Sequence, residues 1–370
     1  MFKSHLRLGR ILGISLHIDL SWVFVLSWLT WSLARIYYPR AYPYWTGHTY
    51  WALAALTAVG FSFSILAHEL GHALVARLQG QSVKGISLFI FGGVTEVPDD
   101  PQSPRRELVQ ACAGPLVSLG LGGLFLAETR IPGEHHAVID SLCQFLATIN
   151  LGVAAFNLLP GFPLDGGRVL RAFLWKMRHD LLWATRWATH VGRSLAYGLV
   201  IVGMWRALTG YWVNGLWVAL IGLYLDSAAR SSYRRLRIKQ LLEAHVAREV
   251  MSQTWQIVPP QLTLDLFVQG YLLKRTKRAY LVGHPKKIEG IVSLTRLERI
   301  PRRRWATAQV RDITIPLEAG YSVSPEMPLD LVLEQMMRLE ARHLPVIDQG
   351  SLIGVICQEN LVWFVRHHTG

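Results

Sequence analysis

The stretch FSFSILAHELGHALVARLQG, Phe61 to Gly80, decides how the chain is read. Its centre, His68-Glu69-Leu70-Gly71-His72, has the spacing of a zinc-binding helix. Residues four apart on an α-helix lie on one face, one turn apart. His68 and His72 can therefore offer two imidazoles to one ion. Glu69, beside the first of them, projects toward the same side. In such helices this glutamate takes a proton from the attacking water. Gly71 and Ala73 keep the helix slim, so another segment can approach it. The same stretch is among the most apolar of the chain. Two histidines and a glutamate inside a membrane span are costly unless they serve a function. The alternative is that they only hydrogen-bond between helices.

Composition agrees with a membrane setting. Of 370 residues 51% are hydrophobic and 17% charged, where a soluble domain carries about 25% charged. Cys112, Cys143 and Cys357 are far apart and form no CxxC, which argues against a disulfide framework or a cysteine zinc site. The N-terminus starts basic without a small-residue cleavage site and reads as retained. A helix needs about 20 apolar residues to cross the hydrocarbon core. Six stretches qualify, near 18–38, 50–78, 106–128, 136–159, 181–208 and 211–230. The fifth contains Arg186, His190 and Arg193, and could instead lie against other helices or begin later.

The net charge of +13 is explained by where the cations fall. With six spans, one side carries Lys3, Arg7, Arg10, Arg77, Lys84, Arg105, Arg106, Arg168, Arg171, Lys176 and Arg178, then Arg230, Arg234, Arg235, Arg237 and Lys239. The other holds Arg35, Arg40, Arg130 and Arg206. The positive-inside rule then predicts a multi-pass protein of the cell membrane with both termini in the cytoplasm. No recognition motif for nucleic acid accompanies the charge, and no such partner is expected.

Between the second and third spans, QSVKGISLFIFGGVTEVPDDP reads as a short β-hairpin or sheet, with Gly92-Gly93 allowing a turn or bulge and Pro98 and two Asp ending it. Its apolar face, Ile86, Leu88 and Ile90, predicts partial burial in the membrane. RILGISLHIDLSW, near the N-terminus, could add strands to the same unit.

A catalytic zinc takes three protein ligands and keeps one position open. The third should be His, Asp or Glu from another segment. The fourth span runs into NLGVAAFNLLPGFPLDGGRVLRAFLW, where Asp165 is the only carboxylate. Pro160 and Pro163 break the helix, and Gly161, Gly166 and Gly167 make the turn pliable. Irregular backbone at membrane depth is tolerated where it is buried in protein or lines a cavity, as a ligand loop requires. Asn157 could hydrogen-bond a substrate backbone or steady an oxyanion, or bridge helices. Asn150, two turns back, reads as a packing residue.

These motifs together resemble the site-2 proteases, intramembrane zinc metalloproteases that pair HExxH with a later N-x-x-P-x-x-x-x-D-G. Here they read HELGH at 68–72 and NLLPGFPLDG at 157–166, with AGPLVS at 113–118 resembling the small-residue segment between them. The resemblance covers about residues 1–230. It implies one Zn2+ held by His68, His72 and Asp165, and Glu69 as catalytic acid/base. It further implies six spans with a membrane-associated β-region where an extended transmembrane substrate could add a strand. No PDZ-like insert separates the motifs, which resembles the subgroup lacking PDZ domains.

From about residue 245 the composition turns soluble and an internal repeat appears, offset by roughly 64 residues. Thr263-Leu264-Asp265 matches Pro328-Leu329-Asp330, AYLV at 279–282 matches LPVI at 344–347, and GIV at 290–292 matches GVI at 354–356. Each copy reads as strand, helix, two strands, helix. This resembles a tandem CBS pair, a cytoplasmic α/β module that often binds adenine nucleotides and often pairs with itself as a homodimer. The family often has Asp after the last strand, to hold a ribose. Arg296 and Asn360 stand there instead, which counts against a nucleotide. RRRW at 302–305 could meet phosphates or acidic lipids, or be a solvated linker.

The expected fold is thus a polytopic α-helical membrane domain at 1–240, with cytoplasmic CBS repeats at 241–308 and 309–370. The expected function is zinc-dependent cleavage of transmembrane proteins, with the CBS pair regulating or dimerising (regulated intramembrane proteolysis). The rival is a CBS-regulated metal-ion transporter, which has no special use for a carboxylate beside His68.

Overall fold

The computed structural model describes residues 5–97, 101–131, 137–273, 280–284, 287–316 and 321–369. Pro98, Asp99 and Asp100 at the hairpin's end, and Ala279 of the first repeat, lie outside these. The chain forms two compact units, Met1–Tyr233 and Arg234–Gly370.

The first unit begins with strands β1 (His5–Ile11) and β2 (Ile14–Asp19), then helix α1 (Leu20–Ser32), a wide turn over Leu33–Tyr37, and the short α2 (Tyr38–Ala41). Asp19 ends β2 and caps α1, its carboxylate accepting from the Ser21 amide. Helix α3 (Gly47–Leu78) is capped by Thr46, whose hydroxyl oxygen accepts from the Thr49 amide. It stops at Gly80, whose φ of +80° suits glycine. Strands β3 (Gly85–Phe89) and β4 (Gly92–Glu96) follow, then α4 (Pro104–Glu128), α5 (Ala137–Asn157), α6 (Asp165–Arg178), α7 (Leu181–Leu208) and α8 (Trp212–Glu243).

Among the described residues, four helices are long and apolar enough to cross a membrane: α3, α4, α5 and α8. They coincide with the stretches expected at 50–78, 106–128, 136–159 and 211–230. The other two are helical but differ in kind. Residues 18–38 open on the end of β2, and their helix is interrupted after Ser32. Helix α7 carries Arg186, Arg193 and Arg206. Arg193, half-buried, reaches the buried Asp226 of α8 at 2.9 Å, and the two charges neutralise each other.

The hairpin expectation holds, and the N-terminal strands do join it. The sheet order is β1-β2-β3-β4, with β2 parallel to β3 and the other pairs antiparallel. The apolar face of β3 is covered by protein rather than lipid. Ile86 and Leu88 are buried with Ile14, Trp22, Ile65, Leu66 and Ala73. Ile90 sits in the turn and is half-buried.

Helix α4 lies against α3 where Gly71 faces the Ala113 carbonyl, 3.0 Å from where a Cβ would stand. It is tied to α6 by Arg171, whose guanidinium donates to the fully buried Glu107 and stacks over Phe162 at 4.9 Å.

The second unit contains α9 (Ala247–Val250), β5 (Gln256–Val258), α10 (Leu264–Phe267), β6 (Tyr280–His284), β7 (Lys287–Val292) and α11 (Leu294–Arg299). RRRW begins a 3-10 turn, Arg302–Arg304. Then come β8 (Thr314–Pro316), α12 (Leu329–Arg338), β9 (His343–Asp348), β10 (Ser351–Cys357) and α13 (Gln358–Thr369). The two stretches read as repeats trade ends. β8, from the start of the second copy, pairs with β7 of the first in the sheet β5-β6-β7-β8. Ser252, from the start of the first copy, bridges to Val355 of the second. The boundary at 308/309 therefore separates the repeats in sequence but not their sheets.

Helices α7 and α8 cross through glycine, which lets their backbones approach closely. A Cβ on Gly203 would stand 2.5 Å from the Ala219 nitrogen, and one on Gly215 2.4 Å from the Ala207 nitrogen. Gly203→Val should force this crossing apart at about 1–3 kcal/mol, and lower the melting temperature in detergent. Gly198→Val, where a Cβ meets nothing within 4 Å, should leave it unchanged.

Candidate metal centre

The HExxH turn lies in the C-terminal half of α3, with His68, Glu69 and His72 all buried. Asp165 is the first residue of α6, after a helix break spanning residues 158–164. Its Oδ2 lies 3.2 Å from His68 Nε2 and 3.1 Å from His72 Nε2, and the two nitrogens are 3.3 Å apart. Among the described residues, these three side chains form one of two groups that could hold a metal ion.

The donor chemistry fits a cation. His72 Nδ1 lies 2.7 Å from the Gln110 carbonyl oxygen. A carbonyl only accepts, so Nδ1 carries the proton, and the neutral ring presents a lone pair at Nε2. That lone pair faces His68 Nε2 and the Asp165 carboxylate. Three electron-rich atoms converge in a buried space, and positive charge is needed between them. Two imidazoles and one carboxylate are a donor set for zinc, with a fourth position left for water or substrate.

Helix α4 supplies the support. His68 Nδ1 is 2.8 Å from Ser118 Oγ. Gln110, Gly114 and Ser118 follow at intervals of four, so one face of α4 lies along both imidazoles. Gly114 is required there: a Cβ would stand 2.2 Å from His72 Nε2 and 2.6 Å from His68 Nε2. Gly166 and Gly167 are required beside Asp165, since a Cβ on either would stand 2.3 Å from backbone of the break. Arg168, on the next turn of α6, brings a cation near the site. Burial pushes its guanidinium below its ordinary range, against the charges of Glu107, Asp165 and Glu69.

Glu69 points to the sheet. Thr95 of β4 donates its hydroxyl proton toward Glu69 Oε2 at 2.7 Å, with the Glu69 carbonyl also within 3.1 Å. Gly93, on the same face of β4, gives the carboxylate room: its Cβ would lie 2.4 Å from Glu69 Cγ.

Sequence reasoning missed Thr95, Gln110 and the role of Ser118. The signals were present, as a polar-Gly-polar series at spacing four within an apolar span, and Gly93 with Thr95 at spacing two. Asn157 is the last residue of α5, half-buried, and its side chain makes no hydrogen bond among the described residues. Asn150 packs as expected, its amide donating to Ser64 Oγ and the Leu146 carbonyl.

The chain is similar to known proteins over most of its length. The profile described as Peptidase family M50 matches residues 56–133 and 121–199, and that of the CBS domain matches 310–367. Rip3 of Mycobacterium tuberculosis, named a zinc metalloprotease, is 37% identical over 96% of this chain and 91% of its own. A zinc metalloprotease of Methanocaldococcus jannaschii is 27% identical, covering 81% of each chain. The solved site-2 protease from that organism is 28% identical, covers 62% of this chain and 94% of its own, and superposes with a TM-score of 0.44. The chain belongs to peptidase family M50, the site-2 proteases, and is a membrane zinc metalloprotease with a CBS domain at its C-terminal end.

Removing Ser118 Oγ leaves His68 unoriented, and loss of such a partner costs about 10–100-fold in metal affinity. Ser118→Ala should show that loss in zinc competition with a chelating dye. Thr95→Val should lower kcat about 10–100-fold, the worth of a hydrogen bond to a charged group, with KM and zinc content unchanged. Thr95→Ser should restore turnover.

Proposed function

We propose that the chain cleaves peptide bonds of transmembrane proteins within or near the bilayer. One observation carries this reading: His68, His72 and Asp165 converge on one point, and β4 holds Glu69 beside it. His68, His72 and Asp165 are assigned as ligands of one Zn2+. Bound zinc supplies a Lewis acid that polarises the scissile carbonyl and makes water nucleophilic at neutral pH. Glu69 accepts the proton of the attacking water and returns it to the leaving amine. Asn157, free to donate at the end of α5, hydrogen-bonds the substrate backbone. A helical substrate hides its carbonyls in hydrogen bonds, so it must be unwound. The edge of β4, next to Glu69, holds it extended by strand addition.

The finer arrangement belongs to the same reading. Six spans, α1 and α7 included, place both termini in the cytoplasm of a cell-membrane protein, as the distribution of Lys and Arg favours. The membrane domain runs over 1–240, and residues 241–308 form a first CBS repeat before the second at 309–370. The pair regulates the protease or joins two copies in a homodimer. It is a poor nucleotide site. Arg296 Nη1 donates to the Thr314 carbonyl at 2.7 Å, and Asn360 Nδ2 to the Val250 carbonyl at 3.1 Å.

The test is a purified protein in proteoliposomes with a membrane-spanning peptide substrate. Glu69→Gln should retain zinc and lose at least about 100-fold in cleavage rate, as removal of a general base does. Asp165→Ala should lose both zinc and cleavage. Undiminished cleavage by zinc-loaded Glu69→Gln would overturn the reading.

A further inference from the structure

A second group of metal-ligating side chains lies in the second unit, and the protease reading makes no use of it. His343 opens β9 and Cys357 closes β10, and the two are direct cross-strand partners. Directly opposed residues of an antiparallel pair put their side chains on one face. Glu359 follows in the first turn of α13. One ligand atom from each, an imidazole nitrogen, Cys357 Sγ and a Glu359 oxygen, lies within 4.8 Å of the others. The group runs from core to surface. Cys357 is fully buried, in an apolar cluster with Leu281, Ile291, Ile315 and Val355, whereas His343 is half-buried and Glu359 exposed.

We propose that His343, Cys357 and Glu359 form a second metal site, for a thiophilic divalent ion of the Zn2+ type. One nitrogen, one sulfur and one oxygen suit a borderline-soft ion and do not suit Mg2+ or Ca2+, which take oxygen. Three ligands leave one position for water, as in an open tetrahedral site. The ion enters past Glu359, the exposed member. Binding replaces the Cys357 thiol proton, which is released to solvent while the sulfur keeps its electron pair for the metal.

The setting favours a regulatory input. The cluster around Cys357 draws Leu281, Ile291 and Ile315 from the sheet β5-β6-β7-β8 and Val355 from β10. The site therefore borders the contact between the two repeats. An ion there clamps the ends of β9 and β10 to the start of α13. Arg296 and Asn360 are occupied by backbone carbonyls, so the input read at this contact is a metal ion rather than a nucleotide.

Cobalt distinguishes this site from the catalytic one, because the group His68, His72 and Asp165 contains no sulfur. The full chain, stripped with chelator and titrated with Co2+ alone, should develop a thiolate-to-cobalt charge-transfer absorption. The band should persist in Cys112→Ser, which controls for the cysteine on α4. It should vanish in Cys357→Ser, with loss of about one equivalent of bound metal. Glu359→Ala removes an exposed side chain, so the fold survives. It should weaken cobalt binding at the band at least tenfold. Absence of the band in the parent chain, its survival in Cys357→Ser, or unchanged affinity in Glu359→Ala would each overturn the proposal.

Discussion

Three lone pairs pointing at one another in an apolar interior set the terms for the first unit. His68, His72 and Asp165 cannot be left uncompensated there, since buried polar and charged groups without partners cost several kcal/mol each. Every neighbouring element answers that cost. Helix α4 must present Gln110 and Ser118 to the outer imidazole nitrogens, which fixes its rotation. It must carry glycine between them, which fixes its distance from α3. Helix α6 must start at Asp165, so the preceding segment has to stop being helical and fold back on its own carbonyls. The Glu107–Arg171 pair joins the start of α4 to α6 two turns beyond Asp165. It holds the carboxylate's helix to the helix that orients the imidazoles.

The sheet answers a different need. The Glu69 carboxylate is held without being neutralised. Thr95 does this with a hydroxyl rather than a cation, and Gly93 clears the space beside it. Both belong to β4, which is the outer strand of its sheet, with its far edge unpaired among the described residues. An exposed edge is elsewhere a liability for aggregation. Here it lies alongside the carboxylate, so the strand proposed to align a peptide also orients Glu69.

Much of this was legible in the sequence, because HExxH spacing on an apolar helix, a proline-broken span with one carboxylate, and a hairpin of β-formers are all local signals. What escaped depends on approach between distant segments. Thr95 meets Glu69 only because β4 crosses α3. Trp22, from a segment read as a plain span, covers Ile86 and Leu88, where the apolar alternation alone pointed to lipid. His343 and Cys357 face each other only through the register of β9 and β10. The interruption after Ser32 had a signal that went unread: Pro39 cannot donate to the carbonyl of Arg35, four residues back in the wide turn Leu33–Tyr37.

The exchanged ends of the repeats have a bearing on how this part of the chain comes into being. Strand β7 lacks its outer partner until Thr314–Pro316 has been synthesised, and β10 receives Ser252, made about 100 residues earlier. The first repeat therefore waits on the second, and the second needs a piece of the first. Each backbone edge left open in the meantime is a template for pairing with the wrong chain. The two repeats thus mature as one cooperative body, and cutting the gene between them would yield two unfinished sheets instead of two domains.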